Sequence, residues 1–310
     1  MTAHDIRLPP SLRFIQRDWL SSNHLLGRGP EGNVLVDTGY STRRDLTLQL
    51  VDHALGGASL DRIVNTHTHS DHVGGNAALA ARYRCSITIP AREREVVERW
   101  DEEALHYGTM GQHCDRFTAD DWFDVGDRLR IGGLEWQALG SPGHDMDSLL
   151  LWQPDHRLLV SADALWEDGF GIVFPEFFDE AGFAAQAATL DMLAGLDAAV
   201  VIPGHGPMFT DYPAALDRAR RRLSYLRANP QRHALSALKV ALSFMLLDRQ
   251  RIGLRDLETV WGRLPLVQRI NRKYFDKEVA TLTREVLASL LAAKVARIED
   301  GWLLPVGQAG

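Results

Sequence analysis

Short apolar runs and stretches of helical period alternate along most of the chain. Residues 33–36, 62–65, 86–89, 149–152, 158–160 and 198–202 are dense in Val, Ile, Leu and Ala and read as strands, with 62–65 and 198–202 apolar enough to be buried. Residues 14–15 and 24–26 read as the first strands, and a Gly132-Gly133 turn joins strands at 129–131 and 134–139. Between them, residues 42–56 space Leu46, Leu48, Leu50, Val51 and Leu55 as an amphipathic helix, and 76–83 and 183–196 read as further helices. Residues 91–123 are charged and irregular, and 165–178 form a long aromatic loop. The strand–helix–strand rhythm predicts an α/β protein.

Beyond residue 213 helical periodicity takes over, at 214–227, 234–247, 254–261 and 277–293, followed by an expected β-hairpin at 295–304 with Asp300-Gly301 at its turn. The last three of these helices and the hairpin are winged-helix-like. Charge changes with the pattern: residues 1–219 hold 17 Arg/Lys against 33 Asp/Glu, and residues 220–310 hold 17 against 8. The net charge of -7 thus combines an acidic body with a basic tail. The step places a domain boundary near 218–222, giving a catalytic body at 1–218 and a mostly helical C-terminal domain at 219–310. A basic winged helix invites nucleic acid. Here the 277–293 helix, the natural recognition element, mixes Lys277 and Arg284 with Glu278 and Glu285. A cap on the body or a homo-oligomer contact is therefore the favoured role, with nucleic-acid binding as the alternative.

No run of 18 apolar residues exists, so no membrane span is expected, and residues 1–10 lack the apolar core of a secretory signal. Cys85 and Cys114 alone make no disulfide framework. These features suit a cytoplasmic protein.

The chemistry concentrates in Thr66-His67-Thr68-His69-Ser70-Asp71-His72, which follows a buried strand and runs into Gly74-Gly75. A strand cannot converge three imidazoles and a carboxylate, because alternate residues face opposite ways; a tight loop at a strand end can. Neutral imidazoles and carboxylate oxygens meeting at one point suit a divalent transition metal. More such residues follow apolar runs: His144 in Ser141-Pro142-Gly143-His144, Asp163 in Ser161-Ala162-Asp163, and His205 in Pro203-Gly204-His205-Gly206. Seven candidate ligands exceed what one four-coordinate ion takes, so two metals are the simpler reading.

On these residues the chain resembles the metallo-β-lactamase superfamily of metal-dependent hydrolases, with glyoxalase II-like metal motifs. His67-Thr68-His69-Ser70-Asp71-His72, Gly143-His144, Asp163 and Gly204-His205-Gly206 stand in the family's order, and Asp37-Thr38-Gly39 matches an early family motif. The resemblance implies an αββα sandwich of two mixed β-sheets flanked by helices. It implies His67, His69 and His144 on one metal, Asp71, His72 and His205 on the other, and Asp163 between them. Zinc is the default, with iron or manganese also compatible with donors that include no thiolate. It further implies a metal-bridging hydroxide as nucleophile, oriented by Asp71, and Asp37 beneath the metal loop holding a ligand or backbone amide. His rather than Glu at position 69 separates the chain from oxygen-reducing di-iron members, and the 42 positions from Asp163 to His205 leave no room for the inserted domain of one nuclease branch.

The expected activity is hydrolysis of a small-molecule thioester, ester or lactone. The alternative is a phosphodiesterase or endoribonuclease that holds nucleic acid with the basic tail, and a non-catalytic metal-stabilised binding protein is the third possibility. Tyr107, His106, Trp166 and Phe174 are the candidates for the substrate pocket, the first pair from a region that often forms the family's substrate wall, the second from the loop after Asp163.

Overall fold

The computed structural model describes residues 6–175 and 181–306. The apolar runs become two stacked β-sheets. The first has the order β1-β2-β3-β4-β5-β6, formed by Leu12–Ile15, His24–Gly29, Gly32–Val36, Arg62–Val64, Ser86–Pro90 and Asp121–Phe123. The second has the order β11-β10-β9-β8-β7, with β7 Arg128–Ile131, β8 Leu134–Gly140, β9 Leu149–Gln153, β10 Leu158–Ala162 and β11 Val200–Pro203. Both are mixed: β3 to β6 run parallel and β1 to β3 antiparallel, while β10 pairs parallel with β11 and antiparallel with β9.

Successive strand residues face opposite sides, and here both sides are covered. Leu25, Val34, Val36 and Val64 turn inward against Leu149, Leu151, Leu158, Val160 and Ile202 of the other sheet. Leu26, Leu35 and Ile63 turn outward beneath helices α1 (Arg44–Leu55), α2 (Ser70–Val73) and α3 (Asn76–Tyr83). The region expected to be irregular holds α4 (Arg94–Arg99), α5 (Tyr107–Met110) and the edge strand β6. Leu150, Leu159 and Val201 face the outer layer of α6 (Ala181–Ala194) and α7 (Tyr212–Ala228). Leu46, expected on the buried face of α1, is instead 43% exposed. Its neighbour Thr47 takes the inward position because its hydroxyl donates to the Thr38 carbonyl and accepts from Arg17.

The C-terminal part comprises α8 (Pro230–Arg249), β12 (Ile252–Gly253), α9 (Leu257–Val260), α10 (Pro265–Ile270), α11 (Val279–Ala292) and a hairpin of β13 (Ala296–Glu299) and β14 (Trp302–Pro305). Asp300 and Gly301, at φ of 50° and 80°, make its turn. The helix expected at 254–261 shrinks to α9, since Ile252 and Gly253 extend to pair with Leu303 and Trp302. These elements enclose their own core around Leu242, Trp261, Val267 and Leu282. The charge step near 218–222 falls inside α7, whose Ala215, Leu216, Ala219, Leu223 and Leu226 all pack on the second sheet's outer layer. The core changes at Asn229-Pro230, where one helix ends and the next begins. Among the described residues no helix is long and apolar enough to cross a membrane.

Beneath the first sheet Arg17 is buried without a carboxylate contact among its hydrogen bonds; its Nη1 donates to His24 Nε2 at 2.6 Å and Thr47 Oγ1 at 2.7 Å. Burial lowers its pKa to about 10. Burial, and secondarily the Arg17 charge, hold His24 well below its ordinary 6.5. The folded protein therefore binds fewer protons here than the unfolded chain at pH below 6.5. This stabilisation is complete above that value and lost as pH falls beneath it, by up to ~1.4 kcal/mol per pH unit. Urea unfolding of metal-free protein between pH 7.5 and 5 is expected to show a shallower pH dependence in His24→Gln than in wild type; equal slopes would exclude the effect.

Candidate metal centre

The four ligand-bearing segments all leave the same end of the sheets. β4 is central in its sheet, and the chain after it turns at once into the one-turn helix α2. A buried polar network fixes that turn: Asn65 Nδ2 and Thr38 Oγ1 both donate to the His72 carbonyl, and Asn76 Nδ2 donates to Asn65 Oδ1. The loop thereby presents His67 and His69 to one point and Asp71 and His72 to the next. At the end of β10 the register shifts, and Ala162 adopts φ 42° just before Asp163. A non-glycine residue in that region stores about 1–3 kcal/mol, which the surrounding sheet must hold. Gly204 is required at the end of β11, because a Cβ there would overlap Asp163 Oδ1.

Two ligand clusters result: His67, His69 and His144, and Asp71, His72, Asp163 and His205, with the donor atoms of each cluster all within 4.8 Å of one another. His69 Nδ1 lies 3.1 Å from His67 Nε2 and 2.9 Å from His144 Nε2. Asp163 joins the clusters, with Oδ2 3.4 Å from His144 Nε2 and 3.8 Å from His205 Nε2, and Oδ1 3.5 Å from His72 Nε2. Asp71 Oδ2 is 3.1 Å from His205 Nε2.

In two of the ligands the other imidazole nitrogen is committed to a second group, as metal ligation favours. His72 Nδ1 donates to Asp37 Oδ2 at 2.9 Å, and its buried Nε2 has no hydrogen-bond partner. His144 Nδ1 donates to the Ile172 carbonyl at 2.6 Å. Asp37 also accepts from the Thr66 amide and hydroxyl, each at 2.9 Å, and so pins the base of the loop. Burial holds His67 and His144 below the usual histidine pKa and brings His69 down to about 4, so three neutral imidazoles face one point. Burial opposes a charged His72, but Asp163 and Asp37 on either side outweigh it and raise its pKa. Burial likewise opposes the Asp163 carboxylate, which His205 and His72 nevertheless keep well below the usual carboxylate range. This donor set fits a pair of divalent cations: five imidazoles, two carboxylates, and a buried His72 nitrogen that makes no hydrogen bond.

The four residues expected at the substrate pocket separate. Trp166 is beside the site, its indole N–H donating to Asp163 Oδ1 at 3.2 Å. His106 lines a neighbouring cleft of about 290 Å³ together with Asp101, Glu103, Ala104, Thr109 and Arg269. Tyr107 and Phe174 are not on the wall, and these two expectations are corrected. Tyr107 is buried and donates its hydroxyl to the Thr68 carbonyl at 2.7 Å, bracing the metal loop from behind. Phe174 is buried in the C-terminal core, because the chain after Asp163 dives between the two parts of the molecule. The end of the aromatic loop, 176–178, lies outside the described residues. The two thiols are buried, with pKa values pushed up to about 11 for Cys85 and about 12 for Cys114, which leaves them inert packing groups.

Two contributors escaped the sequence reading. Asp145 Oδ2 sits 3.6 Å from His69 Nε2, backing a ligand on the side away from the cluster; its place beside His144 was the only available signal. Trp19 stacks on His205, with centroids 5.7 Å apart and planes 3° apart, and meets Trp166 edge-on at 5.4 Å. It remains 41% exposed, and nothing local in the sequence pairs it with residues so distant.

Known proteins resemble this chain in sequence and in fold. The family model described as Metallo-beta-lactamase superfamily matches residues 17–205. A Caenorhabditis elegans protein named Beta-lactamase-like protein 2 homolog is 25% identical over 226 residues, covering 71% of this chain and 69% of the relative. A Hydroxyacylglutathione hydrolase of Rhodopseudomonas palustris (strain HaA2) is 35% identical over 118 residues, covering 38% of this chain and only 39% of the relative. Among solved structures, a Beta-lactamase domain protein from Burkholderia ambifaria shares the fold with a TM-score of 0.60 at 19% identity, covering 97% of this chain and 94% of its own.

Proposed function

From the premise that the chain belongs to the metallo-beta-lactamase superfamily, whose members bind divalent metals, we propose that it is a binuclear hydrolase of a small thioester, ester or lactone. The carrying observation is the bridging position of Asp163 between two complete clusters of donor atoms. His67, His69 and His144 would hold one cation, and Asp71, His72 and His205 the other, with Asp163 shared and zinc the default identity. Bound there, two divalent cations supply Lewis acidity and bring a shared water's pKa toward neutrality.

The chain's own residues do the rest. Asp37 holds His72 in the tautomer that leaves Nε2 open, and Asp145 backs His69. Asp71, only half-buried, is placed to orient the attacking water as well as to bind. Trp19 and Trp166 wall the His205 side with aromatic surface, which suits an apolar acyl or leaving group and excludes bulk water. Glu93, Asp145 and Asp147 also lie close together near His69, with burial raising the pKa of each. In the tail, Lys277, just before α11, is paired with Glu285 of that helix at 2.7 Å, which blunts the basic character there. A C-terminal part with no strong basic stripe on its last helix favours a small substrate over a polyanion. The match to a hydroxyacylglutathione hydrolase, over 118 residues and 39% of that relative, supports thioester chemistry.

The test is a panel of thioesters, esters and lactones run on metal-loaded full-length protein beside single-stranded RNA. Turnover of the first group without RNA cleavage is expected; salt-sensitive RNA cleavage alone would sink the proposal. For the best substrate found, Trp19→Ala should raise KM about tenfold with kcat little changed, as loss of ~1–2 kcal/mol of aromatic contact implies. An unaltered KM would remove Trp19 from the binding surface.

A further inference from the structure

The segment from Trp166 to Phe174 is gripped from both sides. On its inner edge, the Trp166 indole N–H donates to Asp163 Oδ1, the Gly171 amide donates to the Asp163 carbonyl at 2.7 Å, and His144 Nδ1 donates to the Ile172 carbonyl at 2.6 Å. Gly171 sits so close to this ligand that a Cβ would lie 2.7 Å from the His144 ring. On its outer edge, Arg218 of α7 donates to the Glu167 carbonyl at 2.8 Å. Arg222 of α7 lies over the Phe170 ring, its carbon 5.3 Å from the centroid. His233 of α8 donates Nε2–H to the Val173 carbonyl at 2.7 Å.

The carbonyls of Ile172 and Val173 are thus adjacent in the chain and accept from two imidazoles, one a candidate metal ligand and one from the C-terminal helices. His233 is 1% exposed, and the Ile172 and Phe174 side chains are embedded among Ala234, Ala237, Leu238 and other C-terminal core residues. A side-chain donor at such depth fixes the carbonyl it meets, since an unpaired buried carbonyl costs about 1–3 kcal/mol. The preceding peptide, which carries the Ile172 carbonyl, cannot turn independently, because Val173 between them is fully buried and the flanking side chains are packed.

We propose that His233 is a positioning residue for the metal centre: by holding the Val173 carbonyl it sets the Ile172 carbonyl against His144 Nδ1, and so keeps His144 Nε2 presented as a ligand. The C-terminal helices are then part of the support of the metal centre rather than an appended module. The inference rests on His144 being a metal ligand, but not on which substrate is hydrolysed.

Two measurements on the full-length chain test it. Nitrogen-15 correlation spectra of wild-type metal-free protein should show His233 as the Nε2–H tautomer and His144 as the Nδ1–H tautomer; His233 protonated on Nδ1 instead would overturn the proposal. Zn2+ titration against a chelating dye should show His233→Leu weakening one of the two sites by about 10–100-fold, the range seen when support behind a ligand is removed. His233→Gln, whose amide N–H can reach the same carbonyl, should restore affinity to within a few-fold. A purely structural role would weaken both sites together and show no rescue by glutamine, and that pattern, or unchanged affinity in folded His233→Leu, refutes the assignment. If His233→Leu fails to fold, the tautomer spectra of the wild type decide alone. Absence of thioester turnover in the zinc-loaded wild type would count against the proposed activity and not against this coupling.

Discussion

Asp163→Asn should lower hydrolytic turnover by about a thousandfold, a loss of ~4 kcal/mol of transition-state stabilisation, and leave the protein with fewer than two bound metals per chain. Asp163 has oxygens that approach both clusters, at 3.4 Å from His144 Nε2 on one side and 3.5 Å from His72 Nε2 on the other. Asparagine preserves the volume and one carbonyl oxygen, so the fold should persist, and the indole donor of Trp166 can still be met. What disappears is the negative charge that lets two cations sit close together. In the metal-free protein the same charge holds the proton on His72, so the substitution should also let that imidazole lose its proton at lower pH. Elemental analysis beside thermal unfolding checks the prediction. Two metals retained with turnover within tenfold of wild type would show that the clusters are independent.

Asp37→Asn should weaken metal binding at the second cluster by about 10–100-fold while the protein stays folded. The Asp37 carboxylate accepts from His72 Nδ1, the Thr66 amide and the Thr66 hydroxyl. An amide can keep the backbone contact through its oxygen, but its NH2 then faces His72 Nδ1. The favourable answer is for the His72 proton to move to Nε2, the atom that must be bare to bind a metal. Asparagine also tolerates the left-handed backbone at position 37, φ 55°, so the variant isolates the hydrogen bond from backbone strain. Dye-competition titration measures the affinity; an unchanged second site would mean that Asp37 serves the loop only through Thr66.

The αββα layering was legible because its strands are short, apolar and bounded by turns, and because the metal motifs carry the family's order. The seven donor residues were legible for the same reason: a ligand must be one of a few residue types, and such types seldom cluster after apolar runs by chance. Asp37 belonged with them through Asp37-Thr38-Gly39, and the structure puts its carboxylate against His72 and Thr66.

Tertiary structure alone decided the remainder. Tyr107 and Phe174 look like wall residues in sequence, yet each is buried, one under Thr68 and the other in the C-terminal core. Trp19 reaches His205 across most of the chain, and His233 reaches Val173 from a helix whose own pattern is merely apolar on one face. The charge step suggested a boundary in the middle of α7, whereas packing places the change of core at Asn229-Pro230. The division has one cause. Strand runs, turns and ligand types are set by chemistry within a few residues, so they can be read locally. Which side chain meets which across the folded molecule depends on how the layers close over one another, and no local pattern encodes that.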